Sequence, residues 1–429
     1  MQAPAMPLRQ SASTAVPLRL PLSLLLSGTL ASVLLGIGAI FVLPVALVNP
    51  QDMQVLALVH TATLGWFTMT IMGAMYQLVP VVLVTRLRAV PLTYCQMVLY
   101  LIGVVTLISG FWFTLLPALI VGGSLVVTAA TIFAAHLLVT ICLAPRRPLT
   151  AGYLIASLVY LLLVVSLGLT AALNLRWGFL GAATLHLIFA HLVIGLGGWL
   201  ALTLIGVSYK LMPMFALVHR QSERFGWGLL IALNIGLLGL AFSLGLAAPA
   251  WLIDLAGSVL ALGLLGFAWD FWRMLRARKK QTIDVMQRFT VTGVGYLALG
   301  TLLCSAIVAF HLSTAFGPLW LAAAYLLLVG WVGQSILGNL QKIVPFLVWN
   351  QRFARRVGKE KVPLLRDLIH LPTARMSFWL LNGGILAEAA VLALASPLAV
   401  SLAAVPVALG LGLCGVNLVS GLRGIFAAA

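Results

Sequence analysis

The residues best suited to chemistry in this chain are its histidines. A neutral imidazole is the commonest protein ligand for haem iron, copper and zinc. His60, His186, His191 and His311 come from segments far apart in sequence, yet each lies toward one end of a long apolar run. An ionisable group in such a run is costly to bury and is for that reason a candidate functional residue. The bland alternative for each is an imidazole satisfied by a threonine or a backbone carbonyl. His136 reads as a hydrogen-bonded core residue, whereas His219 and His370 fall in polar connections. Carboxylates are also scarce. Asp254, Asp270 and Glu388 lie in or at the ends of apolar runs, Glu388 shares its run with Asn382, and Asp270 has Arg273 beside it as a natural partner. A carboxylate there could relay protons or coordinate a cation. Cys95, Cys142, Cys304 and Cys414 are isolated, without CxxC, CxxCH or zinc spacing, and read as small apolar packing residues. No P-loop, GxSxG, HExxH or dinucleotide fingerprint is present.

The elements that must position these groups are membrane helices. Of 429 residues, 62% are hydrophobic and 8% charged, too little polarity to cover a water-soluble domain but enough for a bundle bathed in lipid. Twelve apolar segments are long enough to cross a bilayer at about 20 residues each. Their expected limits are 21–48, 54–84, 92–114, 117–143, 150–173, 178–216, 226–247, 249–272, 288–312, 318–347, 375–395 and 398–422. The first is too long for the apolar region of a signal peptide and is expected to be an uncleaved helix. Prolines and glycines inside these runs do not argue against helix, because neighbouring helices re-satisfy the freed backbone.

The net charge of +17 is a topology signal. One alternating set of connections carries Arg86 and Arg88, Arg146 and Arg147, Arg220 and Arg224, then clusters over 273–288 and 352–375, whereas the other set holds Arg176 alone. That asymmetry predicts both termini in the cytoplasm of a bacterial inner membrane, with basic loops against anionic lipid and no nucleic-acid site. His60, His186, His191 and His311 then gather in the outer half of the bundle.

One sixteen-residue pattern is written three times: GWFTMTIMGAMYQLVP (65–80), GWLALTLIGVSYKLMP (198–213) and GWVGQSILGNLQKIVP (330–345). The copies lie close to a third of the chain apart, and a fixed period of that length marks a duplicated structural unit. They fall in the second, sixth and tenth spans, so each is the second helix of a four-helix unit: 21–143, 150–272 and 288–422. The fold class predicted is all-α, with three four-helix arcs about a pseudo-threefold axis in a single transmembrane domain over 1–429. On an ideal helix Gly65, Met72, Gly73, Tyr76 and Pro80 share roughly a quarter turn, a small-residue stripe that lets helices approach closely in lipid. The closing Pro is expected to bend or end each helix. Gln77, Lys210 and Lys342 occupy equivalent positions near the close of each copy. They form either a polar ring that guides protons or an anion, or a set of side chains snorkelling to headgroups.

The stretch HTATLGWFTMTIMGAMYQLVPVV (60–82) resembles the second helix of the haem–copper oxidase catalytic subunit, in which an outer-side His ligates low-spin haem. AHLVIGLGGWLALTLIGVSYKLMPMF (190–215) is similar to the sixth-helix segment of oxidase-like relatives. NnrS-type haem- and copper-containing membrane proteins are a similar branch, although their Pro-Asn-Trp signature is absent here. Twelve spans in three arcs with cytoplasmic termini are also that family's plan. The resemblance implies a haem ligand at His60, and a match to the copper ligand of helix six at His191 or, less closely, His186. Two departures limit what it implies. The family's His-X-His pair on helix ten is replaced by LWLAAAYLLLVGW, with Tyr325 and no His, and its adjacent His-His copper ligands have no counterpart in FGWGLLIALNIGLLGLAFSLGLA. An ordinary oxygen-reducing centre is therefore not implied.

Measured from the Gly-Trp pair on ideal α-helices, His60 and His186 point in nearly one direction, about 10 Å apart in depth, with His191 about 140° from His186. We expect His60 and one of His186 or His191 to hold haem b, or a copper ion, between spans two and six, with His311 a further candidate metal ligand. The function expected is electron transfer or a response to nitric oxide or metal, involving a redox partner or gaseous ligand; any enzymatic activity would be that of a haem-dependent oxidoreductase. Two other readings stand beside it. One is a twelve-helix transporter, although common carriers repeat by halves. The other is a cofactor-less accessory or scaffold subunit, which the missing helix-ten histidines favour.

Overall fold

A computed structural model describes residues 16–218, 222–280, 282–314 and 316–426; His219 and Arg220 lie outside them. Among the described residues every long element is a helix, and twelve of these helices are long and apolar enough to cross a membrane. The chain is thus an all-α protein of the polytopic membrane class. The spans are α1 (Arg19–Leu47), α2 (Met53–Leu83), α3 (Val90–Trp112), α4 (Leu116–Cys142), α5 (Leu149–Trp177) and α6 (Gly181–Ala216). They continue with α7 (Arg224–Gly245), α8 (Ala250–Arg276), α9 (Val285–Phe310), α10 (Pro318–Arg352), α11 (Leu371–Ala393) and α12 (Pro397–Leu422). Most limits lie within a few residues of the sequence expectation. The α5 helix runs on to Trp177, where Gly178 adopts the left-handed conformation (φ 66°) that closes a helix without a Cβ clash. Asn174 then ties the corner to α6, accepting from the Leu180 N–H and donating to Thr184.

Each span packs on the next, and α12 packs on α1. In α2, α6 and α10 the buried share of the apolar stretch is 67%, 56% and 72%, against 17% in α8, so these three are the inner helices. The repeated pattern lies on them. Its glycines are where the preceding span comes closest. A Cβ on Gly73 would stand 2.9 Å from Leu24 Cβ, one on Gly338 would stand 2.8 Å from Phe289 Cβ, and one on Gly206 would overlap Tyr153. Leu24, Tyr153 and Phe289 belong to α1, α5 and α9, so the same contact is made at each copy of the pattern. Trp199 of α6 donates to Thr68 of α2 at 2.8 Å, and Trp66 of α2 lies against Gly333 of α10, which joins the inner helices to one another.

The inner helices depart from ideal α geometry in one shared way. Each contains a π-helical segment: Thr61–Thr68, Ile194–Ala201 and Leu326–Gly333. The Gly-Trp pair supplies the fifth and sixth residues of all three. A π turn takes an extra residue per hydrogen-bonded ring, is rare, and is found mostly at functional sites. Glycine, with little preference for α-helix, gives up least on entering it. The prolines do not end these helices at once. In α2 and α6 the helix closes one turn later, at left-handed Val84 (φ 52°) and Leu217 (φ 54°), whereas α10 continues past Pro345 to Arg352.

The three equivalent polar residues part ways. Gln77 is half-buried and Lys210 is exposed. Lys342 turns inward, with Nζ 3.0 Å from Asp284 and 4.2 Å from the centre of the Phe215 ring. Asp284 caps α9 by accepting from the Gln287 N–H, and it also pairs with Lys280 at 3.1 Å. Burial alone would raise the Asp284 carboxyl, but Lys342, the Gln287 N–H and Lys280 together hold it below its ordinary 3.8. Because the folded value is depressed, this contribution to stability is complete above 3.8 and is lost as pH falls through the lower folded value. Asp284→Asn keeps an N-cap but removes the charge. It should lower the thermal midpoint at pH 7, with the gap to wild type closing in acid below that range. A gap independent of pH would show that the ion pair is not what holds α9 to α10.

Candidate metal centre

His60 ends the first α-helical part of α2, immediately before the π segment, and His191 lies in α6 shortly before its own. The two imidazoles meet. Their centroids are 6.5 Å apart and their planes 26° from parallel. His60 Nδ1 donates to the Leu56 carbonyl at 2.7 Å, and His191 Nδ1 donates to the Val164 carbonyl of α5 at 3.1 Å. A carbonyl oxygen carries no proton, so in each neutral ring the hydrogen must be on Nδ1. That leaves the Nε2 lone pair free of the protein, the arrangement in which histidine serves as a metal ligand.

The neighbours fix both rings. Phe111 of α3 stacks on His60 with centroids 4.7 Å apart. On the other side Gly168 of α5 faces His191, and a Cβ there would lie 3.0 Å from the imidazole Cε1. Val164 precedes Gly168 by one turn, so the missing side chain is what lets the ring reach that carbonyl. Gly168→Val should therefore drive His191 off the α5 backbone. The check is diethyl pyrocarbonate labelling mapped by mass spectrometry, with a several-fold gain at His191 at unchanged helix content. Unaltered labelling would mean that the glycine does not seat the ring.

The other candidates stand apart from this pair. His186 uses Nδ1 to donate to Leu244 of α7 at 2.9 Å. His311 is exposed and caps α9 in a left-handed conformation (φ 50°). His136 is buried and bonded to the Arg88 carbonyl, and His370 is exposed beside Thr373. Asp270 pairs with Arg273 at 2.6 Å and accepts from Tyr209 at 3.0 Å. Tyr325 of α10 stands six residues before Trp331, as His60 stands six before Trp66, so it takes the place of His60 in the third copy. Phe111, Val164 and Gly168 carry no motif that would single them out in sequence. The sequence left His186 and His191 as alternatives, although only His186 shares the direction of His60; the ring that meets His60 is His191. Helices that share an interface present different sides to it, so a common direction on each helix is not the criterion for contact. The π turns also shift every residue ahead of them from its ideal α position.

Among the described residues no three His, Cys, Asp or Glu side chains gather as a metal cluster. A structural zinc ion would need about four protein ligands; this pair supplies two. Two imidazole donors would suffice for haem iron, whose macrocycle provides the remaining donors, or for a two-coordinate copper ion. The donor set fits either group. No protein-family profile matches the chain, and no curated protein matches it.

Proposed function

We propose that this chain is a haem-binding membrane protein of the oxidase subunit I type, in which His60 and His191 would hold the haem, with electron transfer as its task. The observation that carries the reading is the facing pair of imidazoles, each with Nδ1 held by a backbone carbonyl and Nε2 free. Three four-helix arcs about a common axis are supported by the contact repeated between α1 and α2, α5 and α6, and α9 and α10. The arginine distribution supports cytoplasmic termini, and an inner membrane of a bacterium suits that topology. Bound haem would supply one-electron chemistry. With both His60 and His191 as ligands, bound haem would be suited to electron transfer with a redox partner rather than to capture of a gas such as nitric oxide. The carbonyls of Leu56 and Val164 orient the rings and strengthen Nε2 as a donor, and Phe111 excludes water from one face of His60.

Copper is the second reading, since two imidazole nitrogens also suit that ion. A reduced-minus-oxidised spectrum of the purified protein, with elemental analysis, separates the two. A Soret band and stoichiometric iron are expected. Copper without haem would select the second reading, and absence of both metals would leave the carrier or scaffold readings.

A further inference from the structure

A second buried site lies in the third unit, away from the histidine pair. Glu388 of α11 has no exposed surface, and neither of its carboxyl oxygens has a hydrogen-bond partner. The spans packed around it are α9, α10 and α12. From α10 the nearby titratable group is Tyr325, which lies within electrostatic reach of both Glu388 and Tyr296. Tyr325 also packs against the buried cluster of Ala322, Leu392 and Val400, as Leu303 of α9 does. From α9 come Tyr296 and Cys304, and α12 offers only Cys414, engaged with Ser377 at 2.9 Å. Among the described residues no Lys, Arg or His pairs with Glu388. Arg288, Lys342, Arg352 and Arg375 sit near the opposite ends of α9, α10 and α11, and His311 is exposed beyond the end of α9.

Register places a hydroxyl at the same height. Tyr296 donates to Asn382 at 3.1 Å, which aligns α9 with α11. The two helices run in the same direction, so Thr301, five residues beyond Tyr296, lies level with Glu388, six beyond Asn382. Thr301 Oγ1 is likewise buried without a partner. One to two turns earlier along α11, Asn382 joins Tyr296 of α9 to Gln334 of α10, which donates to it at 2.9 Å.

We infer that Glu388 is a proton-binding site within the membrane span, carried as a neutral carboxylic acid at physiological pH. A bare carboxylate buried without a counter-ion or donor costs far more than the uptake of one proton. The step is one carboxylate plus one proton giving one carboxylic acid, and it needs no other reactant. The site does not depend on whether metal binds at His60 and His191.

Infrared spectra of the full chain in lipid nanodiscs test this. At pH 7 wild type should show a protonated-carboxyl C=O band that shifts in deuterium oxide and is missing from Glu388→Gln. Carbodiimide labelling of wild type, mapped by mass spectrometry, avoids dependence on the variant's folding. A protonated carboxyl in apolar surroundings gives its proton to dicyclohexylcarbodiimide and adds through oxygen to the central carbon, so Glu388 should be modified, and more slowly as pH rises. Identical bands in wild type and variant, or a folded protein with Glu388 unmodified, would overturn the inference. Protection by sodium ions would also overturn it, since the occupant would then be a metal cation.

Discussion

Replacing His60 or His191 by Ala should strip the bound metal from the purified protein, whereas His186→Ala and His311→Ala should leave it in place. The argument is one of ligand count. The candidate centre offers two protein donors, so each variant removes half of what the chain contributes. Loss of a hydrogen-bond partner behind a ligand already weakens a metal site by roughly 10–100-fold, and loss of the ligand itself should exceed that. His186 has its Nδ1 committed to Leu244, and His311 is exposed at the end of α9, so neither has a part in the pair. Soret absorbance and metal content per chain are the measurements. If His186→Ala empties the site as fully as His191→Ala, the pairing is wrong even where metal is present.

The glycines of the repeated pattern should produce the largest losses of stability. Gly338→Ala would set a methyl group 2.5 Å from the Met286 carbonyl, a backbone atom that no rotamer change can move aside. Gly73→Ala meets Leu24 Cβ at 2.9 Å and the Pro21 carbonyl at 3.0 Å. Overpacking of this kind costs about 1–3 kcal/mol, and Gly338 should lie at the upper end. Gly295 of α9 is the control, because nothing lies within 4 Å of its missing Cβ. There Ala should be neutral or stabilising by up to about 1 kcal/mol, through its better helix propensity. Thermal midpoints in one detergent compare all three. A Gly338→Ala protein as stable as Gly295→Ala would show that close helix approach is not the role of the repeat.

Most of the fold could be read from residues, because lipid imposes a simple rule: an apolar run of sufficient length becomes a helix that bonds its own backbone. The twelve spans followed from that rule, and the repeat marked the inner helices. The π turns did not follow. GWFTMTIM satisfies an α-helical pattern as well, and only contact between neighbouring helices decides where an extra residue is taken up. The pairing of His60 with His191 was left open for the same reason. It depends on Gly168 of α5, a residue without chemistry of its own, whose lack of a side chain lets His191 reach Val164. Lys342 was readable as a lipid-facing lysine until Asp284 was placed beside it. The signal was present, since Asp284 and Gln287 stand at capping-box spacing ahead of an apolar run, but the distance from α10 was not.

The contact of α12 with α1 has a consequence for how the protein is made. Gly36 of α1 lies against Ala408 of α12, with 2.9 Å between a hypothetical Cβ and the Ala408 Cα. Synthesis reaches α12 long after α1, so that flank stays uncovered until α12 has followed. The wait is tolerable because the two buried hydroxyls of α1 are already satisfied within their own helix: Thr29 donates to the Leu25 carbonyl at 2.8 Å and Ser32 to the Thr29 carbonyl at 2.7 Å. A nascent chain halted before Pro397 would keep α1 in the bilayer with that seam still open to lipid.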